Sequence, residues 1–186
     1  MSSSTVIGDV TSTLEQLLRE GQRPKGTFAV TLESPADAKV DPGKPAVNLS
    51  LFRVEESEFA RNEEWEAVGT DVLHHPPLTL SLYYLLTPLA DNKLDEHRVF
   101  GEAMRVLYDS PVVAASLLKG VLENSQEELK LDLYRTTLEQ LTQVWSAFGK
   151  PYRVSAVYRV RVVRIDSLVE RATTRVGEHQ ISVDRI

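Results

Sequence analysis

Residues 76–111 read PPLTLSLYYLLTPLADNKLDEHRVFGEAMRVLYDSP, and the two halves of this stretch have different periods. Leu78, Leu80, Leu82, Tyr84 and Leu86 alternate with Thr79, Ser81, Tyr83 and Leu85. A period of two places the first set on one face of a strand and the second on the other. After the polar break at Asp91 and Asn92, the apolar residues recur at helical spacing as Phe100, Ala103, Met104 and Leu107, predicting a helix over 94–109. Asp95 and Glu96 fall in its first turn, where carboxylates favour the positive end of the helix dipole. Ser110-Pro111 then reads as an N-cap followed by proline at the first position of a short helix over 112–119, ending at Gly120.

The same reading extends outward in both directions. Ile7, Val10, Leu14, Leu17 and Leu18 predict a helix over 6–19, closed by Gly21. Residues 27–32 predict a short strand with Phe28, Val30 and Leu32 on one face. Residues 46–54 predict a strand apolar on both faces and therefore covered on both. Between and after them lie two long loops, 33–45 and 55–75. Residues 129–133 alternate as a strand. Thr137 and Gln140 form a capping-box pattern ahead of a helical stripe of Leu138, Leu141, Trp145 and Phe148. Residues 155–165 form a last strand, with Tyr158, Val160 and Val162 facing one way and Arg159 and Arg161 the other. The expected fold is a single α/β (α+β) sandwich, a mixed or antiparallel sheet flanked by helices over residues 1–166. Residues 167–186 are a polar C-terminal arm with weak alternation at Val176, Ile181 and Val183.

The chemistry is read mostly by exclusion. The 186 residues include no cysteine, which removes disulfides, thiolate metal sites and thiol nucleophiles. With 21 basic and 27 acidic residues the net charge is −6, a poor match to nucleic acid or to an anionic membrane surface. The first residues, MSSSTVIGDVTSTLEQLL, lack the pattern of a secretory leader, and the longest apolar run is too short to span a membrane, so cytoplasmic assembly is expected. No phosphate-binding glycine motif and no nucleophile elbow are present. Asp95, Glu96, His97 and Arg98 are consecutive on a helix and point apart. His74 and His75 are adjacent in an extended segment and point to opposite faces. No catalytic, cofactor-binding or metal-binding residue is therefore assigned.

Two surface features stand out on this acidic chain. Arg153, Arg159, Arg161 and Arg164 form a basic cluster, which reads either as a solvated sheet face or as a contact for an acidic neighbour. Glu55, Glu56, Glu58, Glu63 and Glu64 supply such a neighbour in a head-to-tail ring of identical chains. Phe59 and Trp65, set in the same acidic loop, either seal the core edge or anchor an interface.

Several separated blocks resemble one family. They are IGDVTSTLEQLL, VNLSLFRVEES with the following RNEEW, LSLYYLLTPLADNKLDEHRVFGEAMRVLYDSP, and LTQVWSAFGKPYRVSAVYRVRVV, spanning residues 7–166. The family is that of the cap, or tail-terminator, proteins of phage-tail-like contractile injection systems. The resemblance implies a ring, of six copies, on the baseplate-distal end of the inner tube and sheath. There it ends polymerisation and anchors the last sheath layer, with no cofactor. Its partners are further copies of itself and the sheath and inner-tube proteins, in a particle that is released or stays in the cell. A non-catalytic adaptor joining the particle to cargo or membrane is the alternative.

Overall fold

The computed structural model describes residues 4–57, 64–68, 72–113, 118–123 and 128–172. Helix α1 (Val6–Glu20) is followed by strands β1 (Ala29–Thr31), β2 (Ala46–Glu56), β3 (Glu66–Val68), β4 (Val72–His74) and β5 (Leu78–Leu89). Then come α2 (Lys93–Tyr108), β6 (Val112–Val113), a 3-10 turn at Gly120–Leu122, β7 (Leu129–Tyr134), α3 (Leu138–Ala147), β8 (Ala156–Ile165) and β9 (Glu170–Ala172). Six strands form one sheet in the order β1-β2-β5-β8-β7-β6, parallel only between β1 and β2. A second sheet has the order β3-β4-β9 and is antiparallel throughout.

The main sheet is a sandwich filling. One face carries Leu49, Leu80, Leu82, Tyr84, Leu86, Val160 and Val163 against Val10, Leu14 and Leu18 of α1 and Val99, Ala103, Val106 and Leu107 of α2. Full burial of one such side chain contributes about 1.5–3 kcal/mol. The Tyr84 hydroxyl shares a hydrogen bond with Thr11 Oγ1 at 2.8 Å, tying α1 to the sheet. Burial pushes its pKa up to about 12. The opposite face carries a smaller cluster of Tyr83, Leu85 and Val157 under Leu141 and Trp145 of α3.

The helix ends follow their local signals. Asn92 caps α2 by accepting from the Asp95 N–H at 2.9 Å. Thr137 and Gln140 make the reciprocal capping box that starts α3, an arrangement whose cap is worth about 1 kcal/mol. Gly21 lets α1 end against α2: a Cβ there would lie 2.5 Å from Val106 Cγ1.

At that junction Arg105 donates to Glu102 Oε1 at 2.7 Å and to the Gly21 carbonyl at 2.9 Å, while Glu102 also accepts from the Arg23 N–H at 2.6 Å. The bond from Arg105 holds the Glu102 carboxyl down at about 2, below its ordinary 4.5. A depressed carboxyl stabilises the fold above the ordinary value, and that stability is lost as pH falls through the folded value. Stability is therefore expected to decline between about pH 4.5 and 2, and Glu102→Gln to flatten that limb of a urea-unfolding pH series.

Several expectations are corrected. Residues 112–119 do not begin as a helix: Val112 and Val113 pair with Lys130 and Leu129, and the Pro111 carbonyl accepts from the Leu131 N–H. Two β-branched valines beside an open strand edge outweigh the local Ser-Pro start signal; residues 114–117 lie outside those described. The loop expected over 55–75 contains the end of β2 and both β3 and β4. Strand β2 is covered on both faces only from Ala46 to Ser50, and Arg53 and Val54 are exposed. Leu32 is also exposed, where Phe28 and Val30 are buried. In β8 the register against β5 shifts between the Leu82–Val160 and Leu80–Val163 pairs. This bulge inserts a residue and puts Val163 into the core with Val160; the Val162 side chain lies outside what is described. Beyond Asp166, β9 pairs with β4, so this part of the segment expected as an arm is held by a strand ladder.

Candidate functional site

Helix α3 covers only part of its face of the sheet. The rest carries a polar lattice drawn from four adjacent strands. Arg159 Nη2 donates to Asp132 Oδ2 at 2.9 Å, and Arg161 Nε donates to Asp132 Oδ1 at 3.0 Å. The register explains this: β8 lies beside β7 with Arg159 opposite Asp132 and Arg161 opposite Lys130. The Arg159 guanidinium sits 5.2 Å over the Tyr134 ring, and Tyr134 meets Tyr83 edge-on at 5.0 Å. Arg53 lies 4.8 Å over Tyr83 and donates from Nε to Glu55 Oε1 at 2.8 Å. A shift in register between Leu51 and Arg53 brings Arg53 opposite Tyr83 on this face.

The lattice tunes its own charges. Hydrogen bonding from Arg53 lowers the Glu55 pKa, and the same bond raises that of Arg53. Burial is the largest influence on the Arg159 cation and opposes it, yet the bond and charge of Asp132 together with Tyr83 outweigh it and the Arg159 pKa is raised. Burial, followed by the bond to Glu55, raises Tyr83. Because these groups are partly solvated, the pairs add modestly to stability. Replacing Asp132 by asparagine is expected to destabilise the fold by about 1 kcal/mol, less at high salt. Urea unfolding at low and high ionic strength checks this, and an equal loss at both would rule out the charge as its cause.

The other sequence candidates fall elsewhere. Arg153 Nη2 lies 3.5 Å from Glu96 Oε1, and Glu96 is buried and also held by Lys93 at 2.7 Å. Arg164 is exposed. Trp65 joins neither hydrophobic cluster; its ring meets that of His75 edge-on at 5.1 Å, and it is 37% exposed. Phe59, Glu58 and Glu63 lie outside the described residues. Glu56 is exposed at the end of β2, and Glu64 is exposed beside Trp65. The structure thus brings Arg159 and Arg161 together with Asp132, and Glu55 together with Arg53, but leaves Arg153 beside Glu96 in the first turn of α2. Sequence reading missed Asp132 and Tyr134. Their alternation in β7 is the only signal, and it acquires meaning once β7 is known to adjoin β8.

Among the described residues no three His, Asp or Glu side chains group as metal ligands. His74 Nε2 instead lies 3.2 Å from Glu170 across the β4–β9 pair. No described helix is long and apolar enough to cross a membrane. A groove of about 920 Å³ runs between α2 and β7. It is lined chiefly by apolar side chains, and its two charged ones, Arg105 and Asp132, are both ion-paired. Convergent polar groups aimed at a reacting atom are not among its described lining residues.

The mixed six-strand sheet, with two helices on one face, one on the other and a small second sheet, shares its fold with parts of two tube- or sheath-terminating caps. The chain belongs to the Pvc16 N-terminal domain family, whose profile matches residues 9–178. It superposes over its whole length on the sheath/tube terminator of the PVC extracellular contractile injection system in its extended state, with a TM-score of 0.68 and 17% identity. It superposes over 94% of its length on the tube-terminating cap of the anti-feeding prophage, with a TM-score of 0.65 and 18% identity. The chain spans 65% and 60% of those two chains. No curated protein sequence matches it.

Proposed function

We propose that this chain is a non-catalytic cap that closes the baseplate-distal end of the inner tube and sheath of a contractile injection particle, as a ring of six copies. The observation that carries the reading is the match of residues 9–178 to the Pvc16 N-terminal domain family, supported by the whole-chain agreement with a sheath/tube terminator. Residues 1–166 are the cap domain and 167–186 its arm, rooted by β9.

A cap must end polymerisation without becoming a template for another layer. Strand β8 is paired on both sides, by β5 and β7, over Val157–Arg161, which leaves that part of it no free edge to accept a sheath arm. Strand β2 differs. Beyond Asn48 its outer edge has no partner among the described strands, since β1 pairs only to that residue. This edge accepts an extended sheath arm by strand addition, through main-chain hydrogen bonds. The arm after Ala172 is the second joining element, and Trp65, Phe59 and the exposed charges of Arg161, Arg164 and Glu56 belong to the contact surface.

The test is to image particles assembled with and without the chain. With it, tubes of uniform length should carry density at the end opposite the baseplate. Without it, tube and sheath should overgrow. Uniform particles in its absence would defeat the reading, and density along the side or at the baseplate would support the adaptor instead.

A further inference from the structure

Helix α3 packs on Tyr83, Leu85 and Val157 and leaves the far end of its sheet face without a covering helix among the described residues. Val160 and Val163 point into the core under α1 and α2, so Arg159, Arg161 and Arg164 turn to the α3 face. On β7, Leu129 and Leu131 point into that same core, and Lys130 and Asp132 turn the way the arginines do. Lys130 lies directly opposite Arg161, and Lys130, Arg161 and Arg164 are all exposed. Like charges directly opposite on neighbouring strands repel. Asp132 is shared between Arg159 and Arg161, while Lys130 and Arg164 join no ion pair among the described residues. With Glu128, two residues before Lys130, as the other carboxylate, this face of the β7–β8 ribbon keeps a net of two positive charges.

The small sheet has the opposite character on one face. Its register sets Glu66 opposite His74 and His74 opposite Glu170, so the three side chains stand in one row across three strands. Its one described Lys or Arg, Arg171, is opposite Leu73 and points to the other face. Glu170 lies 3.2 Å from His74 Nε2, and Glu66 is exposed with no cation beside it among the described residues. Two strand spacings put the Glu66 and Glu170 backbones about 10 Å apart, which is also about the length of the three-residue step from Arg161 to Arg164. Within one copy no ion pair among the described residues joins these carboxylates to Lys130, Arg161 or Arg164.

We propose that the open end of the α3 face receives the carboxylate face of the small sheet of a second copy of this chain, with Glu66 and Glu170 of that copy set against Lys130, Arg161 and Arg164. Charge complementarity selects the occupant: each surface lacks within its own copy the counter-charges that the other carries, at matching spacing. Such complementarity across an interface fixes register and orientation. The two surfaces belong to different parts of the fold, so the contact is head-to-tail, and each copy keeps one of each free for the next. Repetition closes a ring. The inference rests on the ring reading above and deepens it by naming the contact.

The test reverses each surface in turn, with Lys130→Glu and Arg164→Glu in one variant and Glu66→Lys and Glu170→Lys in the other. All four residues are exposed, so both variants should keep the wild-type circular dichroism and melting profile. Light scattering at low salt to about 1 mM, the weak end of specific association, should find the wild type as a multi-chain ring and each variant alone as a single chain. An equal mixture should regain the wild-type mass, because each reversed surface then meets its complement and the two variants alternate around the ring. A second measurement needs no variant. Carbodiimide, which joins an amine to a carboxylate it touches, should link Lys130 to Glu66 or Glu170 between isotope-labelled and unlabelled wild-type chains. A wild type that stays a single chain, a variant that keeps the wild-type mass, a mixture that stays unassociated, or Lys130 links confined to one chain overturns the contact. The two readings fail separately: wild-type chain that caps particles while either variant also caps them refutes this contact alone. Rings that form through it but never sit on particle ends refute the cap reading alone.

Discussion

Replacing Trp145 by alanine is expected to destabilise the fold by about 3–5 kcal/mol and to free α3 from the sheet. Trp145 is 2% exposed and packs with Tyr83, Leu85, Leu141 and Val157 in a cluster separate from the main core. Its indole N–H donates to Ser155 Oγ at 3.1 Å, fixing the start of β8 to α3. Alanine removes the ring and leaves a cavity that the sheet, held from behind by α1 and α2, cannot collapse to fill. The larger cluster does not depend on α3, so loss of α3 should precede loss of the rest. Amide exchange in residues 138–147 should accelerate more than in β5. Uniform acceleration through both would show that the two clusters unfold as one unit. Urea unfolding followed by circular dichroism gives the size of the effect. Trp65 would be the sole remaining indole, and its exposure makes fluorescence a poor reporter of this site.

Leu82→Ala should act on the whole molecule, with a loss of about 2–5 kcal/mol. Leu82 is fully buried in the middle strand segment, opposite Val54 of β2 and Val160 of β8, and it belongs to the cluster that α1 and α2 cover. Its removal weakens both helices' seat at once, so a single transition should shift to lower urea with little change in slope. Leu78, on the same strand but 45% exposed, is the control; its change to alanine should stay within about 0.5 kcal/mol. A similar loss at both positions would mean that strand propensity rather than burial sets the effect.

These two positions mark different degrees of legibility. Leu82 was readable because strict alternation over 78–86 has one outcome, a strand with a fully apolar face. Helices α1, α2 and α3 were readable for the same reason, each having an apolar stripe and a start or stop signal within a few residues. Strands β3, β4 and β9 were not, because three residues hold too little periodicity to separate a strand from a loop. They exist because β4 finds partners on both sides. The core place of Val163 was not readable, because a bulge breaks the count of two that set Val162 beside Val160, and a bulge is set by the neighbouring strand. At the site, the pairing of Arg159 with Arg161 on one face followed from their spacing. Their sharing of Asp132 did not, since that needs the adjacency and register of β7 and β8.

By itself the sequence determined the class of fold, the major elements, the absence of thiol chemistry and, through long separated blocks of resemblance, the family. Each of these depends on local periodicity, composition or the order of residues along the chain. Only the tertiary structure decided that β8 lies between β5 and β7 over Val157–Arg161, that parts of the β2 and β7 edges have no partner among the described strands, and that the arginine cluster is partly neutralised at home. Those are properties of which strand lies beside which. Strand order depends on the balance of contacts between distant segments, which no local stretch of sequence carries.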